Sequence, residues 1–315
     1  MGTAPGYFSL TYYRNFNMIF YHLLNHVMSK EFLAGGDFLI EYSPKSDCYL
    51  LVFTDLDGTL LDYETYSFES ALPAINVLKE KNIPLIFCTS KTRVEIEEMR
   101  LKLHNTHPFI SENGGAIFIP KDYFPYGFHF TREDAHYLII ELGTSYAELR
   151  EVFNQMSTLL PGKLRGFGDL TSQEVADLCG FSLSHAILAK RREYDEPFIL
   201  EDGSAENALK EIASRSNLQI NRGGRFYHLI GHNDKGKAVL LLKELYKRKS
   251  EYLKTIALGD SLNDLPMLKV VDYPILVQKP DGSYDPLVKL DELILAPGSG
   301  PSGWCEALLE LLNKL

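Results

Sequence analysis

The chain has 315 residues, and its 42 acidic and 32 basic side chains give a formal net charge of −10. At about 150 residues per domain, that length predicts two domains, and 45% hydrophobic residues exclude disorder as the main state. The acidic balance argues against nucleic acid or a membrane surface as the partner.

Residues 1–46 are rich in aromatics (Tyr7, Phe8, Tyr12, Tyr13, Phe16, Phe20, Tyr21) and read as an extension separate from the rest. His22 and His26 stand four apart, but no glutamate follows His22, so they read as surface or packing residues. No basic residue precedes Arg14, so no signal peptide is expected, and Gly6 stands where myristoylation needs Ser or Thr. The four cysteines, Cys48, Cys88, Cys179 and Cys305, include no CxxC pair. Neither a zinc knuckle nor a disulfide framework is expected, and a cytoplasmic location is.

A regular alternation starts at Tyr49. The apolar run 49–54 predicts a buried strand, 67–81 a helix, 84–88 a strand, 92–104 a helix and 108–110 a third strand. Strands alternating with helices signal a parallel sheet with helices on both faces. The rhythm then changes: 136–142 reads as strand, and 145–160, 172–179, 182–192 and 204–216 as helices. Strand 226–230, helix 235–249, strand 255–258 and a last helix 304–315 follow. The simplest organisation is an α/β doubly wound core from 47–121 and 227–315, interrupted by an inserted α+β module at 122–226.

Chemistry concentrates at strand ends. Asp55-Leu56-Asp57-Gly58-Thr59 follows the first strand, where ligands of open α/β sheets bind. Asp and Gly favour turns anyway, so this motif alone decides little. Gly259-Asp260-Ser261-Leu262-Asn263-Asp264 follows the strand at 255–258 and brings more acids to the same edge. Converging aspartates repel unless a hard cation neutralises them; an all-oxygen donor set describes magnesium, and the absence of Cys and His argues against zinc. Thr89 and Ser90 end the second strand and offer hydroxyls and backbone donors to a phosphate oxygen, while Lys235 starts a helix and supplies a fixed positive charge. Taken singly, such residues are usually a cap and a solvated lysine.

Asp55-x-Asp57-Gly58-Thr59, Thr89, Lys235 and Gly259-Asp260-x-x-Asn263-Asp264, in that order, resemble the four-motif set of the haloacid dehalogenase superfamily. The place of the insert resembles the type-two (C2) cap of its Cof-like branch. Thr89-Ser90-Lys91-Thr92-Arg93, Ser111-Glu112-Asn113-Gly114-Gly115-Ala116, Arg192-Glu193-Tyr194-Asp195-Glu196-Pro197-Phe198 and Gly223-Gly224-Arg225-Phe226 are similar to the mannosyl-3-phosphoglycerate phosphatase group within it. The resemblance covers about 49–315 and leaves residues 1–46 unexplained.

The resemblance implies a Mg²⁺-dependent phosphatase on a phosphorylated sugar-glycerate. Asp55 is then the nucleophile and forms an aspartyl-phosphate; Asp57 is the general acid and later the base. Mg²⁺ is held by the Asp55 carboxylate, the Asp57 carbonyl and Asp260, with Asp264 a ligand directly or through water. Thr89 and Lys235 stabilise the phosphoryl oxygens. For the rest of the substrate the candidates are Arg192, Arg225, Lys91 and Ser90 for anionic groups, and Glu196 and Asn113 for hydroxyls. The alternatives are a phosphatase for glucosyl-3-phosphoglycerate or sucrose phosphate, a phosphosugar mutase, and a non-catalytic binding module, the last opposed by the presence of Asp55, Asp57 and Asp260.

Overall fold

The computed structural model describes residues 49–201, 203–223, 226–250 and 252–315. The extension 1–46, its His22 and His26, and Arg225 lie outside the described residues.

Strand β1 (Tyr49–Thr54) is followed by α1 (Leu72–Glu80), β2 (Leu85–Cys88), α2 (Arg93–Leu103), β3 (Phe109–Ser111) and β4 (Ala116–Pro120). Helix α2 starts where Thr92 and Glu95 form a reciprocal capping box. Two short strands, β5 (Arg132–Glu133) and β6 (Tyr137–Glu141), precede α3 (Tyr146–Leu159), β7 (Leu164–Gly166), α4 (Ser172–Cys179) and α5 (Leu183–Ala189). Then come β8 (Asp195–Leu200), α6 (Glu206–Arg215), β9 (Gln219–Gly223), β10 (Phe226–Ile230), α7 (Lys235–Lys247), β11 (Leu253–Gly259) and α8 (Leu265–Leu268). Strands β12 (Tyr273–Gln278) and β13 (Ile294–Ser299) and helix α9 (Gly300–Leu312) close the described chain.

The large sheet runs β13-β12-β11-β1-β2-β3-β4-β6-β5. It is parallel from β13 to β3 and antiparallel beyond. Alternate residues of β1 serve opposite faces: Val52 joins the cluster holding Phe87, Phe109 and Trp304, while Leu51 and Phe53 join the one holding Ile86, Leu242 and Tyr246. Burial on both faces explains why the strand reads as an unbroken apolar run. Chain order reverses between β1 and β11, and ligands of such sheets bind at that crevice.

A second sheet, β7-β8-β10-β9, is antiparallel. Tyr227 and Leu229 pack with Phe153, Phe198 and Leu209 beneath α3 and α6, so Phe226 and His228 point to the other face. Two expected boundaries move. Residues 132–141, assigned by sequence to the insert, join the edge of the large sheet, β6 pairing with β4 and β5 with β6, and Phe226–Ile230, expected near the start of the returning core, pair with β8 and β9 in the small one. Strand partners are set by contacts distant in sequence, which local periodicity does not report.

Candidate active site

Asp55 stands one residue beyond β1, at the switch point. Its neighbour Thr54 is buried; the Thr54 hydroxyl donates to the Asp55 carbonyl at 2.7 Å and accepts from Trp304 Nε1–H at 2.9 Å. Lys235 is fully buried at the first turn of α7, a place the helix dipole disfavours for a cation. Two carboxylates offset that: its Nζ donates to Asp55 Oδ1 and to Asp264 Oδ1, each at 2.6 Å. Burial pulls the Lys235 pKa down, but Asp264 and Asp55 outweigh it and the amine stays charged. The other oxygen of Asp264 accepts the backbone N–H groups of Asp260 (3.0 Å) and Ser261 (3.1 Å), which fixes the loop after β11.

Asp55, Asp260 and Asp264 have ligand oxygens within 4.8 Å of one another. Burial raises the pKa of Asp55 to about 7, with Lys235 opposing and Asp264 and Asp57 adding. Burial also raises Asp260, and Asp264 and Asp55 add to it. Three acids against one lysine leave excess negative charge in a poorly solvated place, and a divalent cation with oxygen ligands corrects it. Both Asp264 oxygens already have partners, so Asp55 and Asp260 are the acids best placed to reach an ion directly.

Gly58 takes φ +75°, and a Cβ there would lie 3.0 Å from Asp260 Oδ2, so glycine lets the turn approach the second acid. Asp57 leaves that turn with its Oδ1 2.8 Å from Lys91 Nζ. Burial opposes the charge on Lys91, but Asp57 and Glu95 outweigh it and its pKa is raised. Thr89 is fully buried at the end of β2, and its Oγ1 accepts the Lys91 N–H at 3.3 Å.

A cavity of about 680 Å³ opens above these groups. Asp55, Asp57, Ser90, Lys91 and Asp260 line one side, and Arg192, Arg222, His228, Phe167 and Phe226 the other. Arg192 is held by carbonyls: Nε donates to Ala189 O and Nη1 to Ser90 O, each at 2.7 Å, so it ties the two sheets together as well as facing the cavity. Ser90 thus meets the insert through its backbone. Glu112, at a left-handed φ of +46°, crosses the same seam, accepting backbone N–H groups of Glu193 (3.0 Å) and Tyr194 (2.8 Å).

Two expected hydroxyl-binding residues sit elsewhere. Glu196 is fully buried in the insert, where it accepts from Arg150 Nη1 at 2.8 Å and from the Gly168 N–H at 3.0 Å, and it is not in the cavity wall. Asn113 is also behind the wall; its Nδ2 donates to Asp195 Oδ2 (3.4 Å) and its Oδ1 accepts from Asn263 (3.3 Å). Asp195 and His228, joined at 2.7 Å, are the site pair that the sequence reading missed. The alternation of Phe226-Tyr227-His228-Leu229, read as one dry and one wet face, is the signal that finds His228.

Acids at the ends of central parallel strands, a buried lysine between them and an inserted domain closing over the cavity define a capped, doubly wound α/β hydrolase. The haloacid dehalogenase-like hydrolase family matches residues 52–281, and the chain belongs to that family. It is 52% identical over 265 residues to a glucosyl-3-phosphoglycerate/mannosyl-3-phosphoglycerate phosphatase of Methanococcoides burtonii, covering 84% of this chain and 97% of that protein. It is 38% identical over 227 residues to a mannosyl-3-phosphoglycerate phosphatase of Pyrococcus horikoshii, covering 72% and 90%. Among solved structures, a sucrose-phosphatase from Synechocystis sp. PCC6803 shares the fold at TM-score 0.52 and 16% identity, over 85% of this chain and 98% of that one.

Proposed function

We propose that this hydrolase is a Mg²⁺-dependent phosphatase of hexosyl-3-phosphoglycerates, with mannosyl-3-phosphoglycerate as substrate, releasing mannosylglycerate and phosphate. The observation that carries the chemistry is the triad of Asp55, Asp264 and Lys235 at the switch point, set against Asp260, with Asp55 and Asp260 lining the cavity. Asp55 attacks phosphorus in line, the bond to the glycerate oxygen breaks, and Asp57 gives that oxygen its proton. Water then attacks the aspartyl-phosphate, losing a proton to Asp57, and phosphate leaves with Asp55 restored. Lys235 keeps the nucleophile's carboxylate oriented, while Thr89 offers its hydroxyl hydrogen to a phosphoryl oxygen. Asp55 and Asp260 would hold Mg²⁺, with Asp264 as a ligand directly or through water; bound there, the ion screens the substrate phosphate from the site's own acids.

Arg192 on the facing wall and Lys91 beside Asp57 supply the positive charge that a glycerate carboxylate needs. Glucosyl-3-phosphoglycerate is the second reading, favoured by the double name of the Methanococcoides burtonii relative. Cys88, Cys179 and Cys305, buried and in no disulfide, support a reducing compartment such as the cytoplasm, and no described helix is long and apolar enough to cross a membrane.

The test is phosphate release from a panel holding mannosyl-3-phosphoglycerate, glucosyl-3-phosphoglycerate, sucrose phosphate, 3-phosphoglycerate and p-nitrophenyl phosphate, with Mg²⁺ and with chelator. The hexosyl-phosphoglycerates should lead by at least tenfold in kcat/KM, about 1.4 kcal/mol. Chelator should abolish turnover and added Mg²⁺ restore it. A tenfold preference for another phosphomonoester rejects the substrate, and turnover indifferent to chelation rejects the metal.

A further inference from the structure

The small sheet brings to the cavity, besides Arg222 on β9, a polar side chain that neither the phosphate chemistry nor the family motifs use. His228, on β10, lines the cavity although it is only 7% exposed. Its Nδ1 lies 2.7 Å from Oδ2 of the fully buried Asp195. That oxygen also accepts from Asn113 Nδ2 at 3.4 Å and lies 3.8 Å from Arg192 Nη1. An oxygen that accepts from an amide and faces a guanidinium is an acceptor toward the imidazole as well. Nδ1 therefore carries the hydrogen, and in the neutral ring Nε2 presents a lone pair. Among the described residues nothing donates to Nε2.

A fixed, almost dry acceptor in a cavity wall selects ligands that bring a donor. When a ligand without one fills the cavity, the nitrogen is left unsatisfied, and such a site discriminates more sharply than an apolar pocket. Phosphate and carboxylate oxygens are acceptors and do not satisfy it; a sugar hydroxyl does. Phe167 and Phe226 beside it fit the apolar face of a pyranose ring.

We propose that His228 is a specificity-determining residue that accepts a hydrogen bond from a sugar hydroxyl at Nε2, with Asp195 as the positioning residue that fixes the ring's tautomer. The inference rests on the hexosyl-phosphoglycerate reading and adds which side chain reads the sugar. It also gives Asn113 an indirect part. Joined to Asp195 on one side and to Asn263 of the loop after β11 on the other, Asn113 links sugar recognition to the loop that carries Asp260.

The experiment compares kcat/KM for mannosyl-3-phosphoglycerate with that for 3-phosphoglycerate, which lacks the sugar, in the wild type, His228→Asn and His228→Phe. Asparagine keeps a donor toward Asp195 but is too short to present an acceptor where Nε2 stands. The ratio of the two constants should fall about 10- to 30-fold in both variants, mostly through KM on the glycosylated substrate. A ratio within twofold of wild type overturns the assignment, including the case where both constants drop together. As a measurement that needs no variant, the ¹⁵N resonance of His228 Nε2 should lie in the unprotonated range and move on saturation with mannosylglycerate; an unmoved resonance also overturns it. A wild type that hydrolyses 3-phosphoglycerate but neither hexosyl-phosphoglycerate rejects the substrate reading, and this inference with it. A wild type active on both, with unchanged ratios in the variants, rejects this inference alone.

Discussion

On the floor of the cavity, Lys235 donates to Asp55 and to Asp264 at 2.6 Å each, all three buried, whereas the opposite wall is two arginines, a histidine and aromatic rings on and beside a four-stranded sheet. The floor is made of charges whose geometry is over-determined, since each oxygen of Asp264 has a donor and Lys235 has two acceptors. The wall is made of surfaces and single polar atoms, and its arginine is anchored by main-chain carbonyls. Under the proposed function, bond making on the floor calls for the first kind of construction, because charge develops there in the transition state. Recognition on the wall calls for the second, because a sugar offers hydroxyls and an apolar face. The two therefore respond differently to substitution.

The largest effect is expected on the floor. Asp55→Asn should remove at least about 10⁴-fold of kcat on every substrate alike, with the far-ultraviolet spectrum and melting transition retained. A variant keeping a few per cent of wild-type turnover would end the nucleophile assignment and, with it, the distinction drawn here. Next comes the scaffold of the wall. Glu196→Gln leaves Arg150 without its buried carboxylate and should cost about 1–3 kcal/mol, seen in the melting temperature, while the mannosyl-to-glucosyl preference stays as it was. A shifted preference with unchanged stability would return Glu196 to the cavity.

The smallest effect lies at the seam. Burial pushes Glu112 from 4.5 up to about 8, with Arg192 opposing and Asp195 adding. The folded protein thus binds this proton more tightly than the unfolded chain, so its contribution to stability is complete below about pH 4.5 and lost as pH rises through about 8. Glu112→Gln keeps a neutral group that still accepts the Tyr194 N–H. Between pH 5 and 8 the wild type should therefore lose melting temperature relative to the variant. Parallel curves would show that Glu112 is ionised in the folded state throughout that range.

The floor was readable from sequence because its chemistry is local. Asp55-x-Asp57-Gly58 and Gly259-Asp260-x-x-x-Asp264 each follow an apolar strand, and a strand end fixes where its next residues go. Helices α2 and α3 begin at equally local features, the reciprocal capping of Thr92 with Glu95 and of Ser145 with Glu148. The wall was not readable on those terms. Glu196 looked available because nothing nearby in sequence shows Arg150 closing on it from α3, 46 residues earlier. Strands β5 and β6 looked like part of the insert because β4, the partner of β6, lies across a loop with no periodicity of its own. His228 became visible only when β8 placed Asp195 beside it.

The pairing of β1 with β11 has a consequence for how the protein is made. Tyr49 to Thr54 align with Leu253 to Leu258, about two hundred positions later, and the cradle around Asp55 draws on Lys235, Asp264 and, through Thr54, Trp304. A chain emerging from the ribosome exposes Asp55 early, yet Lys235, Asp264 and the neighbouring strand are still unsynthesised. Folding of the core has to wait for nearly the whole length of the protein, and so high a contact order makes it slow. Under the proposed mechanism, a chain that stops short of Asp264 lacks the full set of partners that orient Asp55 and should not hydrolyse substrate.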